Sequence, residues 1–333
     1  MSASPQPELY PDRSFWLTLV GVFKCVGALG ALGLGALGLL GVLMANVMGQ
    51  NLGVEVAVQT GLLYGGIAAA LAALGIGALQ ARPWARALTL TSSVILIISG
   101  IFGTVNILVM LPSTLQQHTA QLAEQSPDVP LEALQIGAVL GMVGGAGLLL
   151  VFLVVIPAAL IAFYTRPSVV ATIRNRTPDG DWSDHCPLPV LALSQLLLFS
   201  GLGYLAIALG YNGVVPCFGH YIHGAPGVVI NLLLMVLMSV LAVGIYRIAL
   251  WAWAGTLAIW FLVGLSTAVT YATVGFMSIY DHMNISPVQL EHIQNAPIEY
   301  YGWYSIIWLV LAIGYVLVLG PMFFFTKRHP TPG

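Results

Sequence analysis

The chain has 333 residues, of which 59% are hydrophobic and only 7% charged, with a formal net charge of −2. A soluble domain carries about 25% charged residues, so water is not the solvent for most of this surface. The near-neutral balance offers no electrostatic footprint for nucleic acid. Apolar runs of about 20 residues or more recur without strand-like alternation, which predicts membrane-spanning helices and excludes open sheets in hydrocarbon. Cys25, Cys186 and Cys217 lie far apart, so neither a disulfide framework nor a paired-cysteine metal motif follows.

Residues 1–14 form a polar tail with three prolines. The run after it is too long for the apolar region of a cleavable signal and reads as a retained first helix. That helix falls within Phe15–Met44, and Gly27, Ala31 and Gly35 stand at the four-residue spacing that lets membrane helices approach closely. The second helix covers Val56–Leu79. Arg82-Pro83-Trp84-Ala85-Arg86 then makes a turn, with a proline suited to a first helical turn and an interfacial tryptophan. The third helix covers Ala87–Leu111. The polar segment from Pro112 to Pro130 predicts one short amphipathic helix at 114–122. The fourth, Leu134–Phe163, carries Gly137, Gly141 and Gly145 as a second small-residue stripe, a close-packing partner for the first helix.

Between Tyr164 and Pro189 runs the longest hydrophilic stretch outside the termini. Its Asp179, Asp181 and Asp184 lack the spacing of a calcium loop, and Pro178, Gly180 and Pro187 read as turns, so this seam is expected to be a solvated linker. Helices follow at Val190–Gly210, Val228–Tyr246, Ala252–Ser278 and Trp303–Phe325, with outer segments at 211–226 and 280–300.

The two sides of the seam resemble each other. Residues 73–90 and 242–259 align without gaps, pairing Ala73 with Ala242, Gly75 with Gly244, Ile76 with Ile245, Trp84 with Trp253, Ala85 with Ala254 and Leu88 with Leu257. The expected fold is therefore all-α and polytopic, with eight transmembrane helices in two tandem four-helix repeats of like orientation. The parts are a tail (1–14), a first half (15–163), a linker (164–189), a second half (190–325) and a tail (326–333).

Eight spans place Arg13, Arg82, Arg86, Arg166, Arg174, Arg176, Arg247, Lys327 and Arg328 on one side, and no lysine or arginine on the other. The positive-inside rule makes the basic side, with both termini, cytoplasmic. A bacterial-type inner membrane or its equivalent is the expected location.

Three sets of residues invite chemistry. Lys24 is the one cation within a span, either snorkelling to the cytoplasmic face or meeting a substrate or partner. Asn106 and Gln195 are amides that join helices or line a path. On the outer side, Cys217, His220 and His223 stand at three-residue spacing, with Asp281 and His282 on the next outer segment. Such ligands would suit copper or zinc, although Gly219 and Gly224 argue against a rigid helix presenting them. No cofactor is otherwise expected.

No carboxylate or histidine falls near a midplane, which weighs against ion-coupled transport. No nucleotide loop, nucleophile elbow or zincin motif appears. The leading expectation is a non-enzymatic structural or accessory subunit whose partners are the lipid bilayer and other membrane subunits. The alternatives are a transporter or channel for a small neutral or hydrophobic solute, and a metal or redox protein using the outer His/Cys set.

Overall fold

Pairs of apolar helices, joined by tight turns on one side, build the molecule. The computed structural model describes residues 11–49, 54–125, 131–178, 181–283 and 299–325. Among these are ten α-helices: α1 (Ser14–Val47), α2 (Val54–Leu79), α3 (Pro83–Gln125), α4 (Leu131–Leu150), α5 (Ile156–Tyr164), α6 (Pro167–Arg176), α7 (Leu188–Gly210), α8 (Gly224–Tyr246), α9 (Leu250–Thr273) and α10 (Glu299–Phe325). Helices α4 and α5 join through a π-helical turn, Val151–Val155, into one span. Eight helices are then long and apolar enough to cross a membrane, and the chain is an all-α polytopic membrane protein. The third helix does not stop at Leu111. It runs to Gln125, absorbing the short helix expected at 114–122, and at 43 residues is about 65 Å long, well beyond the hydrocarbon thickness.

Helix α1 lies along α2. A Cβ on Gly75 would fall 2.6 Å from Cys25 Sγ and 3.0 Å from the Gly21 carbonyl oxygen, so only glycine permits this approach. Ala31 and Gly35 are buried on the same side, Gly35 against Tyr64. The partner of this stripe is α2, not the fourth span, which packs on α3.

Two turns share one geometry. Helix α2 ends with Arg82 N–H donating to the Gly77 carbonyl and Ala81 N–H to that of Ala78. Helix α8 ends with Ala249 N–H donating to Gly244 and Ile248 N–H to Ile245. Both are Schellman caps. Their left-handed residues are not glycines: Ala81 has φ 51° and Ile248 φ 53°. A β-branched residue there is strained; Ile248 packs against the second-half core, and that burial offsets the strain. In both turns a tryptophan ring, Trp84 or Trp251, crosses a glycine, Gly77 or Gly244. Each of these pairs is separated by 167 positions. The geometric counterpart of Trp84 is thus Trp251, not the Trp253 of the ungapped alignment. In the same register Thr89 meets Thr256, and both hydroxyls donate to the carbonyl four residues back.

The seam is not a free linker. Pro167 starts α6, and Val169, Thr172 and Ile173 form one buried face against Leu17, Ala81, Leu90 and Tyr164. Arg174 and Arg176 sit in its last turn, where the helix dipole favours cations. Asp181 and Asp184 cap the 3-10 turn Trp182–His185. Tyr246 Oη donates to the Trp182 carbonyl, tying that turn to α8. The seam therefore staples first-half and second-half helices together. Cys186, at its end, is buried, and burial pushes its thiol up to about 11, leaving it protonated near neutral pH.

Candidate functional site

Lys24 does not snorkel. It is 5% exposed; its Nζ donates to Thr89 Oγ1 at 2.6 Å and stands 5.1 Å from the centre of the Tyr164 ring. The Thr89 hydroxyl in turn donates to the Ala85 carbonyl. Tyr164 is 1% exposed, and among the described residues its hydroxyl has no hydrogen-bond partner. Arg86 Nε donates to the Tyr164 carbonyl at 3.0 Å, satisfying an acceptor at the end of α5. Helices α1, α3 and α5 thus meet at one cation, with α6 closing over the cluster from its seam end. An ammonium has three donors, and one hydrogen bond with one ring face is a sparse replacement for its water.

Gln195 joins first and second halves. Its amide oxygen accepts from Thr91 Oγ1, and its Nε2 donates to Ser92 Oγ at 3.2 Å, clamping α7 to α3. A second amide, Gln59 on α2, donates to the Gly210 carbonyl at the far end of α7. Sequence reading missed Gln59, Thr89, Thr91 and Tyr164, because nothing in a linear pattern separates a bonded hydroxyl or amide in a span from a packed one. Asn106 lies on α3, and its side chain is outside the described residues. Replacing Gln195 by leucine is expected to cost about 1–2 kcal/mol. A double-mutant cycle with Thr91→Val, followed by thermal unfolding in detergent, should show coupling; strict additivity would remove the clamp.

On the other side, 211–223 folds as a hairpin, with β1 (Val215–Cys217) antiparallel to β2 (His220–Ile222). Phe218 (φ 40°) and Gly219 (φ 93°) form its two-residue turn, both left-handed as such a hairpin requires. Ser266 and Thr270 of α9 accept from the Phe218 and Gly219 amides, drawing the turn down onto the helix. Asn231, 1% exposed, donates from Nδ2 to the Gly213 and Gly227 carbonyls.

Strand alternation divides the expected metal ligands. Cys217 pairs with His220 and faces one way, whereas Tyr221 faces the other, as residues one apart on a strand must. His223 stacks on His282 at 4.6 Å and 19° between ring planes, and Tyr221 lies 5.7 Å from His282. Asn212 Nδ2 holds the His282 backbone. Tyr221 Oη donates to the Gly275 carbonyl, and burial pushes its phenol up. Asp281 is exposed. Among the described residues, no three histidine, cysteine or acidic side chains gather closely enough to hold a metal ion. The two outer segments do meet, through an imidazole pair.

Of the two small-residue stripes, one is filled. Gly27 lies against Leu71 at contact distance. Among the described residues, nothing lies within 4 Å of where a Cβ would stand on Gly137, Gly141 or Gly145, or on Gly144 or Gly147. Comparison with known protein families, with curated protein sequences and with solved structures found no match.

Proposed function

We propose that this membrane protein is a structural or accessory subunit of a membrane complex, with α4 as the face that receives a partner's transmembrane helix. The unfilled glycine stripe on α4 carries the reading. Only 6% of the apolar window of the α4–α5 span is buried within the molecule, whereas the corresponding windows of the spans from α7 and α8 are 39% and 33% buried. Small residues favour helix association in lipid because they let backbones come close, and among the described residues nothing packs onto these glycines.

The matched turns at 77–85 and 244–252 support a tandem duplication. With four spans in each half, the halves share one orientation, as in a parallel repeat. The distribution of arginine favours cytoplasmic termini, and a bacterial-type inner membrane or its equivalent is the location this reading assigns.

Native mass spectrometry of protein extracted gently from its own membrane tests the subunit reading. A stoichiometric partner is expected, and Gly141→Ile should release it without loss of fold, because among the described residues no neighbour lies within 4 Å of a Cβ at that position. Solitary release of the native protein, together with flux of a defined solute in liposomes, would overturn it. That outcome favours the second reading, passage of a small neutral solute. The hydroxyls and amides of Thr91, Ser92, Gln195 and Gln59 between the halves give that reading its place.

A further inference from the structure

The second turn differs from the first in what it presents to the bilayer. In the first, Gln80 occupies the position before the left-handed residue, and Trp84 is half-buried. In the second, that position holds Arg247, exposed, and Trp251 is 57% exposed. An open groove runs from this turn along α8. It is lined by Met235, Ser239, Val240 and Val243, with Arg247 and Trp251 at one end, and encloses about 530 Å³. That volume falls within the range of about 300–1,000 Å³ typical of ligand sites. From Met235 to Arg247 the helix rises about 18 Å, a length that suits an extended acyl chain.

The depth of the charged end is marked independently. Trp182 and Tyr246 stand there as an edge-to-face pair 5.7 Å apart, joined by the Tyr246 hydroxyl to the Trp182 carbonyl. The Trp251 ring, over Gly244 two residues before Tyr246, adds a third amphipathic ring at this end of α8, and tryptophan and tyrosine collect at the headgroup level of a bilayer. Arg247 is therefore at headgroup depth, and the apolar floor of the groove descends into hydrocarbon. Neither α8 nor α9 carries an aspartate or glutamate to occupy the guanidinium. The Ser239 hydroxyl is already satisfied by the Met235 carbonyl, so the floor makes no polar demand.

We propose that this groove holds an anionic glycerophospholipid, with its phosphate on Arg247, its glycerol region against Trp251 and one acyl chain along Met235–Val243. Trp251 cannot swing away into α8, because its ring already lies over Gly244, where a Cβ would meet it at 2.8 Å. That contact fixes one wall of the headgroup end.

The test uses the full chain, delipidated in neutral detergent, with phosphatidylglycerol and phosphatidylcholine of identical acyl chains, read by native mass spectrometry. The native protein is expected to retain phosphatidylglycerol about fivefold better, the preference one cation supplies. Arg247→Gln should abolish that preference, while Arg82→Gln, at the matching turn, should keep it. Val240→Trp should fill the groove and reduce retention of both lipids. Equal retention of the two lipids by native protein, an unchanged preference in Arg247→Gln, or the same loss in Arg82→Gln would each overturn the proposal. So would a Val240→Trp variant that binds both lipids as before.

Discussion

Replacing Lys24 by methionine is expected to stabilise the protein, by about 1–3 kcal/mol in thermal or denaturant unfolding. Burying a charge costs several kcal/mol unless partners replace its water. Lys24, 5% exposed, has only the Thr89 hydroxyl and the face of Tyr164 as partners among the described residues. Methionine keeps much of the stem and removes the charge. The converse change, Thr89→Val, takes away the hydrogen bond and should destabilise by about 1–3 kcal/mol. Combined with Lys24→Met, the threonine replacement should cost little, since its cost arises through the ammonium. A Lys24→Met protein that melts below the native one, or an undiminished effect of Thr89→Val in that background, would show that the cation is well solvated. A stabilised variant that no longer supports its partner or its flux would mark Lys24 as kept for function at the expense of stability.

Gly227→Ala should cost more, about 3–4 kcal/mol, at the large end for single substitutions. A Cβ there would overlap the Gly213 carbonyl oxygen and stand 3.1 Å from the Ile222 carbonyl oxygen. Gly213 has φ +63°, and its own Cβ position is filled by the start of α8, so it has no room to retreat. Displacing it also breaks the bond from Asn231 Nδ2, leaving a buried amide short of a partner. The hairpin is expected to lift from α9 and become open to protease between Tyr211 and His223. Gly203→Ala, where no described residue lies within 4 Å of the new Cβ, is the neutral comparison. Equal melting temperatures and equal proteolysis for the two variants would sink this account of the hairpin.

The eight spans were legible because hydrocarbon imposes them: an apolar run of sufficient length has one stable fate in lipid. The α1 stripe was legible too, since small residues at four-residue spacing declare a contact. They do not declare with whom, and the first helix found α2 rather than the fourth span. The likeness of the two turns was visible through their tryptophans, but an ungapped match over Gly- and Ala-rich helix slid by two residues. Only the left-handed Ala81 and Ile248, with their paired hydrogen bonds, fix the register. The seam looked solvated because its polar residues outnumber the three that α6 buries. The outer set joined two segments, and His223 does meet His282, but strand alternation turns Cys217 and His220 to the other face, which a linear spacing does not show. Lys24 was conspicuous, but Thr89 and Tyr164 come from other helices, and no local pattern ties them to it.

The π-helical turn at Val151–Val155 has a local cause. Pro157 lacks an N–H for the Leu153 carbonyl and its ring crowds that carbonyl, while Gly100 of α3 comes within 2.6 Å, at a built Cβ, of Leu153 Cβ. One residue added to a helix turns everything beyond it by about 100°. The span therefore has two azimuths. Its α5 end points Pro157 and Tyr164 into the first half, while its α4 end directs the glycines elsewhere. A single helix can in this way anchor itself and address a neighbour without either task dictating the residues of the other.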